Sequence, residues 1–198
     1  MPGADWLADR RTEVAADRIL DAAERLFAGH DPASVGMNEI ARAAGCSRAT
    51  LYRYFESRDA LHTAYVHRWA NELYGELTDR LADVSDPQQR FVAGIAESLA
   101  LVRANPALAS WFTKTGPPIG GEMAERSDVI TTMVAGFLAA LGGGSEDPQA
   151  VGRRARWVVR VMTSLLVFPG RDADDERAML AEFVVPVIAP AVVTTRRA

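Results

Sequence analysis

The chain has a single cysteine, Cys46, so no internal disulfide can form, and a lone cysteine in a turn reads as structural rather than redox-active. Lysine is nearly absent: Lys114 is the only one, and the other 21 of the 22 basic residues are arginine. With the many alanines, this skew points to a GC-rich genome rather than to a mechanism. Histidine is scarce too. His30, His62 and His67 all fall in the first third, and His62 and His67 are five apart, a poor spacing for a metal pair on one helix face. No nucleophile with a base, no paired carboxylates and no metal-ligand cluster converge, so an enzyme is not expected and neither metal nor cofactor is called for. Apolar runs are short or broken; Val161–Phe168 and Phe183–Val193 do not suffice to span a bilayer. Met1–Arg11 has no apolar run that could serve as a signal peptide, and the expected location is the cytoplasm with no membrane partner. The net charge of −4 argues only weakly against nucleic acid, because binding depends on where the charge sits.

Present in abundance are helical patterns. Hydrophobic residues make up 48% of the chain, which is globular composition, and no alternating strand pattern or internal repeat is visible. The pattern predicts an all-α protein of about nine helices. Ile19, Leu20, Ala23, Leu26 and Phe27 form the buried stripe of a first helix over Thr12–Ala28, stopped by Gly29. Short helices follow over Met37–Ala44 and Arg48–Tyr54, the second capped by Ser47. Ser57 caps a long helix, Arg58–Ala82, with Leu61, Tyr65, Trp69, Leu73, Leu77 and Leu81 inward. Further helices are expected over Pro87–Asn105, Pro106–Lys114 (or a turn there), Glu122–Leu141, Asp147–Phe168 and Asp172–Ala191. Gly116-Pro117-Pro118 and Gly120-Gly121 read as a break, and Pro117–Gly121 as a connector or a lid. Pro186 and Pro190 should make the last helix irregular.

Two short helices joined by a tight turn are the central feature. The spacing from Ile40 through Gly45 to Leu51 suits a helix-turn-helix, with Ile40, Ala41, Ala44 and Leu51 inward and Gly45 supplying the sharp turn. The second helix then exposes Ser47, Arg48, Thr50, Tyr52, Arg53 and Tyr54, groups suited to phosphates, base edges and thymine methyls. Arg48 and Arg58 each follow a serine cap. A cation at the positive end of a helix costs roughly 0.3–1 kcal/mol, yet the same corner seats a phosphate well. Residues 36–58 hold four arginines (42, 48, 53, 58) and two acids, Glu39 and Glu56, so Asp17, Asp21 and Glu24 of the first helix have to face elsewhere.

The run Ile40-Ala41-Arg42-Ala43-Ala44-Gly45-Cys46-Ser47-Arg48-Ala49-Thr50-Leu51-Tyr52-Arg53-Tyr54-Phe55-Glu56-Ser57-Arg58-Asp59-Ala60-Leu61 resembles the signature of the TetR family of repressors. The resemblance covers the first third of the chain. It implies a helix-turn-helix domain over residues 1–60 and a helical domain over 61–198 that dimerises and holds a small ligand. It also implies double-stranded DNA as partner, an inverted-repeat operator read by a homodimer, and repression as the default. Carried over by position, Arg48 and Ala49 would face base edges; Thr50, Tyr52 and Tyr54 would touch backbone or thymine methyls; Arg58 would hold a phosphate. Ser47, Arg42 and Arg53 complete the expected DNA face. Two departures stand out. Gly36 replaces the usual Ser or Thr cap of the second helix, and Asn38 stands where many members have arginine.

Two stripes near the C-terminus fit either a dimer bundle or monomer core: Val151, Ala155, Val158, Met162 and Leu165, and Leu180, Phe183, Val184 and Val187. Arg153, Arg156 and Arg160 share a helix face. They could meet an acidic effector, or form a solvated face paired with Asp172, Asp174, Asp175 or Glu176. Trp111, Phe112, Met133, Phe137, Trp157 and Met162, with Met123, are candidates for an apolar effector pocket or for ordinary core. The alternative to an effector-released repressor is a DNA-binding dimer without effector; an all-α enzyme or carrier is a more distant third.

Overall fold

A computed structural model describes residues 6–112, 119–142 and 147–188; for residues 6–12 and 142 it describes the backbone alone. The described residues hold helices joined by turns and short loops, with no strand among them, as the pattern predicts. The helices are α1 (Trp6–Phe27), α2 (Met37–Ala43), α3 (Arg48–Tyr54), α4 (Arg58–Arg80), α5 (Pro87–Ala104), α6 (Pro106–Ala109) with a 3-10 turn over Ser110–Phe112, α7 (Ile119–Arg126), α8 (Asp128–Gly142), α9 (Pro148–Val167), α10 (Ala173–Met179) and α11 (Val185–Ile188). No single helix among the described residues is long and apolar enough to cross a membrane.

Local chemistry sets most of the boundaries. Ser47, Ser57, Asp86, Asn105, Asp147 and Asp172 each begin a helix, and each side chain accepts an otherwise unpaired backbone N–H. Proline follows the cap in α5, α6 and α9, where its missing N–H costs nothing. Gly36 begins α2 with no side-chain cap, as its lack of a side chain requires.

Several expectations need correction. α1 starts at Trp6, six residues before the expected Thr12. Gly120 and Gly121 do not break the chain; both lie buried inside α7. A Cβ on Gly120 would come within 2.8 Å of the Phe112 ring, so close packing rather than a turn explains that glycine. The helix expected over Glu122–Leu141 is two helices, divided at Ser127, whose hydroxyl accepts the Ile130 N–H and so restarts the chain as α8. The last expected helix is divided as well. A π turn over Leu180–Val184 joins α10 to α11. Pro186 cannot donate a backbone hydrogen bond, and a widened turn accommodates that loss. Pro190, Pro117 and Pro118, Gly116 and Lys114 lie outside the described residues.

The side chains bury in two clusters. The first joins Phe27, Ile40, Leu51 and Leu61 to Tyr65, Val102, Leu108 and Trp111, so the helix-turn-helix shares its core with α4, α5 and α6. The second packs Phe91, Ile95 and Leu99 of α5 against Val151, Ala155 and Val158 of α9 and Leu180 and Val184. Arg103 of α5 fixes α10 by donating to both carboxylate oxygens of buried Glu176, at 2.8 and 2.7 Å. The backbone N–H of Gly170 donates to the same carboxylate.

Candidate DNA-binding face and effector cavity

The turn between α2 and α3 is built around Gly45, the one described residue with a left-handed backbone (φ 68°), a conformation glycine adopts without strain. Ile40, Ala41 and Leu51 are buried beneath it, and Cys46 packs on the same core as a half-buried free thiol. Ser47 accepts the Thr50 N–H at 3.0 Å and meets the Thr50 hydroxyl at 2.9 Å, so the first turn of α3 is held rigid. Arg42, Ser47, Arg48, Ala49, Tyr52 and Arg53 are exposed, while Thr50 and Tyr54 are half-buried. The Arg48 guanidinium lies 5.3 Å from the centre of the Tyr52 ring, and that of Arg53 lies 5.3 Å from the Tyr54 ring. These contacts pre-orient two cations on aromatic faces.

Arg58 differs from the expectation of a free phosphate seat in one respect. Its guanidinium donates to the Ala33 carbonyl at 2.8 Å, tying the start of α4 to the loop before α2. The group remains exposed and keeps further N–H donors. Two of the α1 acids are engaged by α4: Arg68 pairs with Asp21 at 2.7 Å and with Glu24 at 3.2 Å. Asn105 also donates to Glu24, at 3.2 Å, so one carboxylate links α1 to α4 and to the start of α6.

Behind this face is a cavity of about 260 Å³ bounded by α4, α5, α7, α8 and α9. Trp111, Phe112, Met133, Phe137 and Met162 line it, as proposed from the sequence. Trp157 does not. It is 49% exposed, because it lies on the face of α9 opposite Val159, Met162 and Leu166, which do face the cavity. Met123 packs against the first core cluster instead. Leu73 and Leu77, expected in the core, are half-buried because they too line this space. Sequence reading missed the α4 and α5 contribution, including Trp69, Arg90, Gly94 and Ser98. Gly94 carried the signal: a glycine inside an otherwise regular helix marks a close approach. A Cβ there would come within 2.8 Å of the Phe137 ring.

Trp111 also faces the helix-turn-helix core. Its ring meets Phe27 of α1 edge-on at 5.3 Å between centroids and His62 of α4 at 4.8 Å, and stacks on Tyr65 at 5.9 Å. Trp111 Nε1, His62 Nε2 and the Tyr65 hydroxyl are buried with no hydrogen-bond partner among the described residues. Glu24 comes near the Tyr65 hydroxyl without completing a hydrogen bond; burial first, then that charge, raises the phenol well above its usual range. Burial, reinforced by the Arg58 charge, lowers His62 to about 4, so its imidazole is neutral. His67 is elsewhere, at 3.0 Å from the Ser127 hydroxyl. The two histidines are not brought together, and no group of His, Cys, Asp or Glu among the described residues could hold a metal ion.

The arginine row of α9 is an exposed face. Arg160 pairs with Glu125 and Arg153 lies 3.8 Å from Asp147, while Arg156 is exposed. The expected acidic partners are engaged elsewhere: Asp174 with Arg177, Asp175 with Arg171 and Glu176 with Arg103. The two apolar stripes divide. Val151, Ala155, Val158 and Leu165 are buried, as are Leu180 and Val184. Phe183 and Val187 are instead 64% and 57% exposed, so they are not monomer core.

The model for bacterial regulatory proteins, tetR family, matches residues 19–65. An uncharacterized HTH-type transcriptional regulator of Mycobacterium tuberculosis is 64% identical over 198 residues, covering 100% of this chain and 97% of that protein. The chain belongs to the TetR family. It is a DNA-binding transcriptional regulator, and the enzyme reading falls with that assignment. Solved TetR-family structures have the same fold. The repressor AlkX from Dietzia sp., implicated in n-alkane biodegradation, aligns with a TM-score of 0.62 at 24% identity over 86% of this chain and 96% of that one. RolR in complex with resorcinol aligns with a TM-score of 0.68 at 19% identity over 95% and 94% of the two chains.

Proposed function

We propose that this TetR-family regulator is a homodimeric repressor released from an inverted-repeat operator by a small, mainly apolar effector. The observation that carries the effector reading is Trp111, whose ring is at once a wall of the cavity and part of the core beneath the helix-turn-helix. A ligand filling the cavity presses on that ring, and the ring presses on α1 and α4. AlkX and RolR, of the same fold, support it through the alkane metabolism and the resorcinol with which they are associated. A tenfold loss of DNA affinity requires the effector to favour the released conformation by only about 1.4 kcal/mol.

Dimerisation rests on apolar exposure. Trp157, Phe168, Phe183 and Val187 are 49%, 67%, 64% and 57% exposed on or beside α9, α10 and α11, large apolar side chains that a second copy would cover. Packed against a second copy they form an intermolecular helix bundle, and two recognition helices can then enter successive major grooves roughly 34–36 Å apart. The DNA contacts proposed are Arg48 and Ala49 to base edges, Thr50, Tyr52 and Tyr54 to backbone or thymine methyls, and Ser47, Arg42, Arg53 and Arg58 to phosphates. Selection of bound sequences from random DNA tests this reading: it should enrich a two-fold symmetric site. Enrichment of sites without symmetry would count against the dimer.

A further inference from the structure

We propose that the effector is a small carboxylic acid, with its apolar body in the cavity and its carboxylate on Arg90. The proposal rests on reading the cavity as the effector site. Arg90 is the only charged side chain among the described residues that line it, and no carboxylate lines it. Arg90 lies one and two helical turns before Gly94 and Ser98, so all three face the same space. Its Nε is buried and has no hydrogen-bond partner, and Arg90 makes no ion pair among the described residues. Neighbouring arginines are satisfied: Arg80 by Glu76 and Glu97, Arg103 by Glu176, Arg160 by Glu125. A guanidinium that borders an apolar cavity without an acidic partner is a ready seat for an anion, which its terminal N–H groups can hold.

The lining and charge of the site narrow the class. The cavity, about 260 Å³, is lined almost wholly by apolar side chains, which suits an apolar body. One guanidinium balances one negative charge, and its planar fork matches the two oxygens of a carboxylate. Position supplies a mechanism as well. α4 starts beside the helix-turn-helix and α5 runs back toward it, so Arg90, near the start of α5, lies at the end of the cavity away from the DNA. Gly94, one turn on, faces Leu81 at the far end of α4. Trp111 lies at the opposite end, against Phe27 and His62. An acid anchored on Arg90 therefore directs its apolar tail toward Trp111.

Calorimetric titration of the full chain with octanoate, 1-octanol and octylamine tests this. Octanoate should bind at least tenfold more tightly than 1-octanol, and octylamine most weakly. In Arg90→Gln the preference for octanoate should vanish while 1-octanol still binds, which also reports an intact fold. Arg90→Lys, which keeps the charge, should retain part of the preference. Equal binding of octanoate and 1-octanol to the unaltered chain, or a preference that survives Arg90→Gln, overturns the carboxylate assignment and leaves the cavity reading standing. If none of the three probes binds, the cavity reading fails and the assignment falls with it.

Discussion

The indole of Trp111 meets the imidazole of His62 nearly perpendicular, with ring centroids 4.8 Å apart. Trp111 belongs to the cavity wall, and His62 lies four residues after Arg58 at the start of α4. One aromatic contact thus joins the cavity to the helix that begins at the proposed DNA face. Its interior position leaves both rings with a buried polar nitrogen unpaired, an arrangement that favours a neutral imidazole.

That neutrality has a pH consequence. His62 falls from 6.5 to about 4 on folding, chiefly through burial. Between those values the unfolded chain binds the proton and the folded chain does not, so stability rises with pH across the window and is lost as pH falls from 6.5 toward 4. The full effect is about 3 kcal/mol at this shift. Urea midpoints between pH 7 and 4 should show the loss, and His62→Phe should flatten it. An unchanged acid limb in that variant would place the titrating group elsewhere.

Arg103 and Glu176 govern a lower window. The guanidinium and the Gly170 N–H hold the Glu176 carboxyl below its usual range, although burial acts the other way. The depressed acid stabilises the fold above the unfolded value of 4.5, and this contribution is lost as pH falls through the lower folded value. Glu176→Ala should destabilise by about 2 kcal/mol, less than for a fully buried pair because Arg103 is 36% exposed. Thermal or urea unfolding at pH 7 measures it, and a change below half that size would show that the pair is not what fixes α10.

Gly94 separates fold from ligand. In Gly94→Ala the new methyl meets the Phe137 ring at 2.8 Å and displaces it, and both residues line the cavity. Overpacking of this kind costs about 1–3 kcal/mol. Effector affinity should fall at least tenfold while DNA binding without effector is retained. Parallel titrations of ligand and operator check this; unchanged ligand affinity would show that Phe137 gives way without narrowing the site.

How far the sequence carried depends on the range of the interaction. Caps at Ser47 and Ser57, the turn glycine Gly45 and the buried stripe of α1 are matters of neighbouring residues, and all were legible. The break at Ser127 was missed because serine caps a helix only when the chain bends there, and the bend depends on how α7 and α8 pack. Trp157 was misassigned because one helix offers two apolar faces, and only tertiary packing decides which one meets the cavity. Arg90 resembled any surface arginine in sequence; that no acid among the described residues pairs with it is a property of three dimensions.

The DNA face yields the sharpest contrast, between two arginines that each follow a serine cap. Arg48 lies exposed on α3 with its guanidinium 5.3 Å from the centre of the Tyr52 ring. Arg58 starts α4 and already donates to the Ala33 carbonyl. A base contact is worth about 1–3 kcal/mol of discrimination, whereas a phosphate contact contributes to all sequences alike and to the salt dependence. Arg48→Ala should therefore weaken operator binding and relax the preferred base at one position of each half-site. Arg58→Ala should weaken all sequences equally and reduce the salt slope by about 1 per contact. It should also cost about 1 kcal/mol of stability, because the Ala33 carbonyl loses its donor; Arg48→Ala removes no such bond. Binding titrations at several salt concentrations, on the operator and on single-base variants, separate the two. If Arg48→Ala leaves the base preference untouched, Arg48 is a phosphate contact, and sequence reading falls to Ala49, Thr50 and Tyr52.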